Sequence, residues 1–169
     1  EYGTAVRSAI FTHDSALVAY SGDSGDIKCE MVKSQQPWVS LQGRQNSTTQ
    51  AIRIAPDDQT VASVGSAGPI YLWDVPTRSI SHTIKPEGSD FWSLAFSPDG
   101  RRLAAGDSAG VVRVWDVTAG FHRTTISSSV VGLRGLASSP ALCFLALRLG
   151  PSRTPPPATR HVFQSSALR

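Results

Sequence analysis

The chain has 169 residues, 40 % of them hydrophobic, enough for an ordinary core and too many for disorder throughout. Its formal charge of +3 is unevenly spread: no acidic residue follows Asp116, whereas Arg123, Arg134, Arg148, Arg153, Arg160 and Arg169 do, so the 13 acidic residues outnumber the basic ones before that point. Six scattered arginines without a lysine make a weak case for nucleic-acid or membrane affinity, and no apolar run approaches the roughly 20 residues of a membrane helix.

In chain order, the first unit reads "AIFTHDSALVAYSGDSGDIKCEMV" (Ala9 to Val32), two alternating segments separated by turns at His13-Asp14-Ser15 and Gly22 to Gly25. Trp38 follows, in an outer strand or the loop after it. Asn46-Ser47-Thr48 has the form of a glycosylation acceptor, which matters only in a secreted protein. The second unit, "IRIAPDDQTVASVGSAGPIYLWDV" (Ile52 to Val75), aligns without gaps on the third, "LAFSPDGRRLAAGDSAGVVRVWDV" (Leu94 to Val117), and on the first. Trp73 and Trp115 are 42 residues apart, and Asp14, Asp57 and Asp99 coincide, as do Gly25, Gly68 and Gly110. "RSISHTIK" and "FHRTTIS" supply a last strand to the second and third units. A period of this length built from short strands and Gly or Pro-Asp turns predicts about four antiparallel strands per unit.

The third unit contains Gly106-Asp107-Ser108-Ala109-Gly110, which fits the G-x-S-x-G pattern of a hydrolase nucleophile. The same register position holds "GSAG" (Gly65 to Gly68) and "GDSG" (Gly22 to Gly25), and two strands flank it, so a hairpin turn is expected in place of a catalytic Ser108 or Ser24. Cys29 and Cys143 share no ligand spacing with His13, His82, His122 or His161, and no phosphate-binding glycine pattern occurs. No catalytic residue, metal site, cofactor or small-molecule substrate is assigned.

After Ile126 the pattern breaks. "SSVVGLRGLASSPALCFLAL" reads as an irregular tail or the degenerate opening of a fourth unit, and "GPSRTPPPATRHVFQSSALR" has the Pro, Ser and Arg content of a disordered segment. The expected divisions are 1–47, 48–89, 90–125 and 126–169. The chain opens at Glu1 without an initiating Met, as a fragment of a larger protein would.

"IYLWDV", "VRVWDV" and the turn "FSPDG" resemble the WD40 repeat family, with Glu30-Met31 replacing Trp-Asp in the first unit. The resemblance covers about Val6 to Thr125 and implies an all-β fold, an incomplete propeller of about three four-stranded blades followed by a disordered C-terminal tail. It assigns Trp73, Asp74, Trp115 and Asp116 to structure. It also implies a buried network joining Trp, a strand hydroxyl, a His and a turn Asp. Here Ser63 fits the hydroxyl position, whereas Pro86-Glu87 stand in place of Gly-His, and Ala67 and Ala109 in place of the Asp.

The function the resemblance implies is a non-catalytic scaffold or adaptor, cytoplasmic or nuclear, binding proteins or peptides through blade loops. The expected protein-binding rim comprises Asp23, Ser66, Asp90, Phe91, Trp92, Asp107 and Ser108, with Trp92 as its aromatic anchor. The alternative is a sensor or regulatory repeat segment of a larger enzyme such as an NTPase or kinase.

Overall fold

A computed structural model describes residues 5–33, 37–41, 48–66, 68–85, 90–118, 123–127, 133–139, 142–148 and 161–163, with side chains described between residues 5 and 118 outside residues 34–47. The chain divides into two compact units, residues 1–91 and 92–169. Every regular element among the described residues is a β-strand.

The first sheet contains β1 (Val6–Phe11), β2 (Leu17–Gly22), β3 (Ile27–Met31) and β4 (Pro37–Leu41), paired in that order. The second contains β5 (Thr49–Ile54), β6 (Thr60–Gly65), β7 (Ile70–Asp74) and β8 (Ser79–Ile84). The next comprises β9 (Phe91–Phe96), β10 (Arg102–Asp107), β11 (Val111–Asp116) and β12 (Arg123–Ser127). Each is a four-stranded antiparallel meander, as the period predicts, and is consistent with a blade of the incomplete propeller that the resemblance implies. The expected last strands "RSISHTIK" and "FHRTTIS" are β8 and β12, and Trp38 lies within β4.

A further sheet joins β13 (Leu133–Ser139), β14 (Leu142–Arg148) and β15 (His161–Phe163). Residues 133–139 and 142–148 are therefore strands, within the stretch expected as an irregular tail or a degenerate fourth unit. The Pro-rich residues 149–160 lie outside the described residues, as do Asn46-Ser47, Ala67, Pro86-Glu87 and His122.

One backbone pattern builds all three blades. Val18 pairs with Glu30, Val61 with Trp73 and Leu103 with Trp115 at equivalent register. The amide after the third strand returns to the preceding turn each time: Val32 to Ala16 at 2.9 Å, Val75 to Gln59 at 2.8 Å and Val117 to Arg101 at 2.8 Å. The first hairpin turn is held by a side chain that substitutes for backbone partners. In blade three the Ser97 hydroxyl donates to Asp99 Oδ1 at 2.5 Å and accepts from the Arg102 amide at 2.9 Å, while Asp99 accepts the Arg101 amide at 3.0 Å. Gly100 follows at φ 71°, where a side chain would crowd the backbone. Thr12 and Asp14 repeat this in blade one. Blade two has Ala55 at the hydroxyl position, and Asp57 alone caps the turn through the Gln59 amide at 2.9 Å.

In residues 1–91 the core lies between the first two sheets. Ala19, Ile27 and Cys29 of blade one meet Ile52, Ile54, Val61, Trp73 and Val75 of blade two, with Ile10 and Tyr71 at the margin. Alternation along the strands puts these residues on facing sides. In residues 92–169, Leu94, Leu103, Ala104, Ala105, Val112, Val114 and Trp115 are buried, and β10 lies against β13.

Candidate protein-binding rim

At one end of each four-stranded sheet the start of the first strand meets the turn before the third. In blade one, Val6 pairs with Gly22 but Ser8 pairs with Ser21, which leaves Arg7 as an extra residue in a bulge. In blade two the extra residue is Gln50, between Thr49 and Ala51. A bulge turns a side chain away from the regular alternation, and here it turns both toward the turn of their own blade. Arg7 Nε donates to Asp23 Oδ1 at 2.5 Å, and Gln50 Nε2 donates to Ser66 Oγ at 2.7 Å. Thr49 Oγ1, buried, donates to the Gly25 carbonyl at 3.5 Å and links the two blades beneath this rim.

The anticipated rim residues divide by burial. Asp23 and Ser108 are exposed, and Ser66, Asp90 and Trp92 are half-buried. Phe91 and Asp107 are fully buried, which removes them from the accessible rim. Asp107 is held by Arg113 Nη1, 2.6 Å from Oδ2, and its Oδ1 accepts the Val111 amide at 2.8 Å, so its charge is matched inside the protein. Its place at the end of β10 gives a turn-like sequence signal, and the partner that buries it lies six residues on. Arg7 and Gln50 were not anticipated. They share the register position of Trp92, and that equivalence is the signal that finds them.

Gly106 and Asp107 end β10, and Ser108 to Gly110 make the expected hairpin turn into β11, closed by the Gly110 amide on the Asp107 carbonyl at 3.1 Å with Gly110 at φ 85°. A strand follows it, whereas a nucleophile elbow leads into a helix.

Trp73 and Trp115 are buried, and the Trp73 indole donates to Ser63 Oγ at 3.0 Å. The Trp-to-hydroxyl link of the implied network is therefore made in blade two. Asp74 caps the next turn, accepting the Thr77 amide at 2.7 Å and the Thr77 hydroxyl, and these bonds hold its carboxyl below the usual range. Asp116 caps its own turn, accepting the Thr118 amide at 2.9 Å and the Thr118 hydroxyl at 2.8 Å. In blade one Glu30 takes the Trp position and accepts from the Tyr20 hydroxyl.

At the opposite end of the first two sheets, Asp58 accepts the His13 amide at 2.9 and 3.0 Å, and His13 Nδ1 lies 2.8 Å from Asp58 Oδ1. Burial raises the Asp58 pKa, but the His13 hydrogen bonds outweigh it and leave the carboxyl below its ordinary value. Among the described residues no group of three or more His, Cys, Asp or Glu side chains is placed to hold a metal ion, and no helix is long and apolar enough to cross a membrane.

Comparison with known proteins gives a family for part of the chain: residues 78–116 match WD40, the WD domain, G-beta repeat. The matched stretch runs from the turn before β8 to the end of β11. No curated protein matches the chain. WD40 repeats are generally non-catalytic interaction domains that commonly bind other proteins. With its repeat match set in a series of like-patterned four-stranded sheets, the chain carries a WD40 repeat over residues 78–116 and is consistent with a WD40-family protein.

Proposed function

We propose that the chain is a non-catalytic scaffold or adaptor of the cytoplasm or nucleus that takes proteins or peptides on its blade loops. Support comes above all from one contrast: the strands repeat while the rim positions vary. Arg7, Gln50 and Trp92 occupy one register position, and Asp23, Ser66 and Ser108 another. Fixed strands hold the loops, and different side chains at equivalent places supply different contacts. Trp92 is the anchor, because a half-buried indole offers a large contact area at small entropic cost.

The test is quantitative capture from cell extract by the immobilised full chain, its Trp92→Ala variant and an Arg101→Ala control in the turn at the far end of the same sheet. Loss of a truncated anchor of about 2 kcal/mol weakens binding about thirtyfold. The expected result is loss of captured proteins with Trp92→Ala, no loss with Arg101→Ala, and unchanged thermal unfolding for both. Equal capture by all three chains, or unfolding of Trp92→Ala, would overturn the reading.

A further inference from the structure

Strand β8 differs in exposure from the strands inside its sheet. Ser79 to Thr83 are all exposed and Ile84 is half-buried, whereas β6 beside β7 is almost wholly buried. Among the described residues β8 ends its sheet, paired through β7. Its register breaks at one point: Leu72 pairs with His82 and Trp73 with Ile80, leaving Ser81 as the bulged residue. The Ser81 hydroxyl donates to the Leu72 carbonyl at 3.1 Å. The turn into β8 carries Arg78 at φ 61°, a left-handed conformation that costs a non-glycine residue energy. β8 itself buries little apolar surface, since Ile80 is 40 % exposed, and its release would free Arg78 from that conformation.

The charge of this segment is one-sided. Val75 to Lys85 contains Arg78, His82 and Lys85 and no acidic residue, in a part of the chain otherwise richer in acid. Arg78 stands three residues before Ser81. An exposed extended edge strand with a basic residue at that offset suits an enzyme with an acidic groove for extended substrates, since kinases select substrates by charge pattern.

We propose that Ser81 is a phosphorylation site for a basophilic serine kinase and that its modification releases β8 from β7. The Ser81 oxygen attacks the γ-phosphorus of ATP, the bond from that phosphorus to the bridging oxygen breaks, ADP leaves, and the hydroxyl proton passes to the kinase's base. The product has no hydroxyl proton to donate to the Leu72 carbonyl, and it places a charge of about −2 beside that oxygen. The bond that pins the bulge becomes a repulsion.

The test uses the full chain, magnesium ATP and the catalytic subunit of a kinase that selects arginine three residues before its acceptor. Phosphate is mapped by mass spectrometry, and amide exchange is followed before and after. Arg78→Asn removes the charge with a residue that tolerates positive φ, and Ser81→Ala removes the acceptor. The expected result is phosphate chiefly on Ser81, incorporation about tenfold slower in Arg78→Asn, as for loss of one charge-assisted contact, and faster exchange across Ser79–Ile84 in the modified chain. No phosphate on Ser81, undiminished incorporation in Arg78→Asn, or unchanged exchange after modification would each overturn the proposal.

Discussion

The Trp73 indole nitrogen donates to the Ser63 hydroxyl at 3.0 Å across β6 and β7, with both residues buried. Ser63→Ala leaves a buried N–H without that acceptor, and such a loss costs about 1–3 kcal/mol. Urea unfolding is expected to show a lower midpoint by that amount with an unchanged slope, and Ser63→Thr to retain most of the stability.

Asp107 and Arg113 form a buried ion pair at 2.6 Å in blade three, with Asp107 fully enclosed. Removing one member of such a pair leaves an uncompensated charge and costs about 3–5 kcal/mol, whereas replacing both by apolar residues of similar size is far less harmful. Asp107→Ala is therefore expected to be more destabilising than the double change Asp107→Leu, Arg113→Met. Equal stability of Asp107→Ala and the native chain, read by chemical unfolding, would show that the pair contributes nothing.

Acid sensitivity follows from the turn carboxylates. The Ser97 hydroxyl and then the Arg101 amide hold Asp99 below its ordinary pKa, and the Thr12 hydroxyl and the Ala16 amide do so for Asp14. A carboxylate depressed in the folded state adds stability above its unfolded pKa of about 4, and that contribution is lost as the pH falls through the folded value. Folding free energy is thus expected to be flat near neutrality and to decline below about pH 4. Asp99→Asn removes part of that decline, as tryptophan fluorescence across an acid titration would record.

Burial raises the Cys29 thiol to about 11. At pH 8 a thiol with that pKa holds about a thousandth of its population as thiolate, the reactive form. Alkylation mapped by mass spectrometry is expected to spare Cys29 in the folded chain and to modify it once urea unfolds the protein.

The repeat was legible because turn residues recur at fixed register: Asp14, Asp57 and Asp99 each cap the same turn by accepting a backbone amide. The Trp-Asp pair was legible for the same reason, with a large side chain for the core followed by a small acceptor for the turn. The bulges were not, since one extra residue in a strand leaves no mark on composition while changing where Arg7 and Gln50 point. Nor was the burial of Asp107, because an acid beside Ser and Gly reads as solvent-facing until its cation is placed. The interblade bond from His13 to Asp58 leaves no mark in the sequence either: the two are 45 residues apart, close to one full period, and stacking of the sheets brings them together.

Amide hydrogen exchange on the intact 169-residue chain tests most directly that like-patterned blades hold open loops. Exchange is expected to be slow within β6, β7, β10 and β11, whose backbones pair on both sides, and fast at the rim turns of Asp23 and Ser108. Equally fast exchange in those strands and turns would contradict it, because without fixed strands no rim exists to bind a partner.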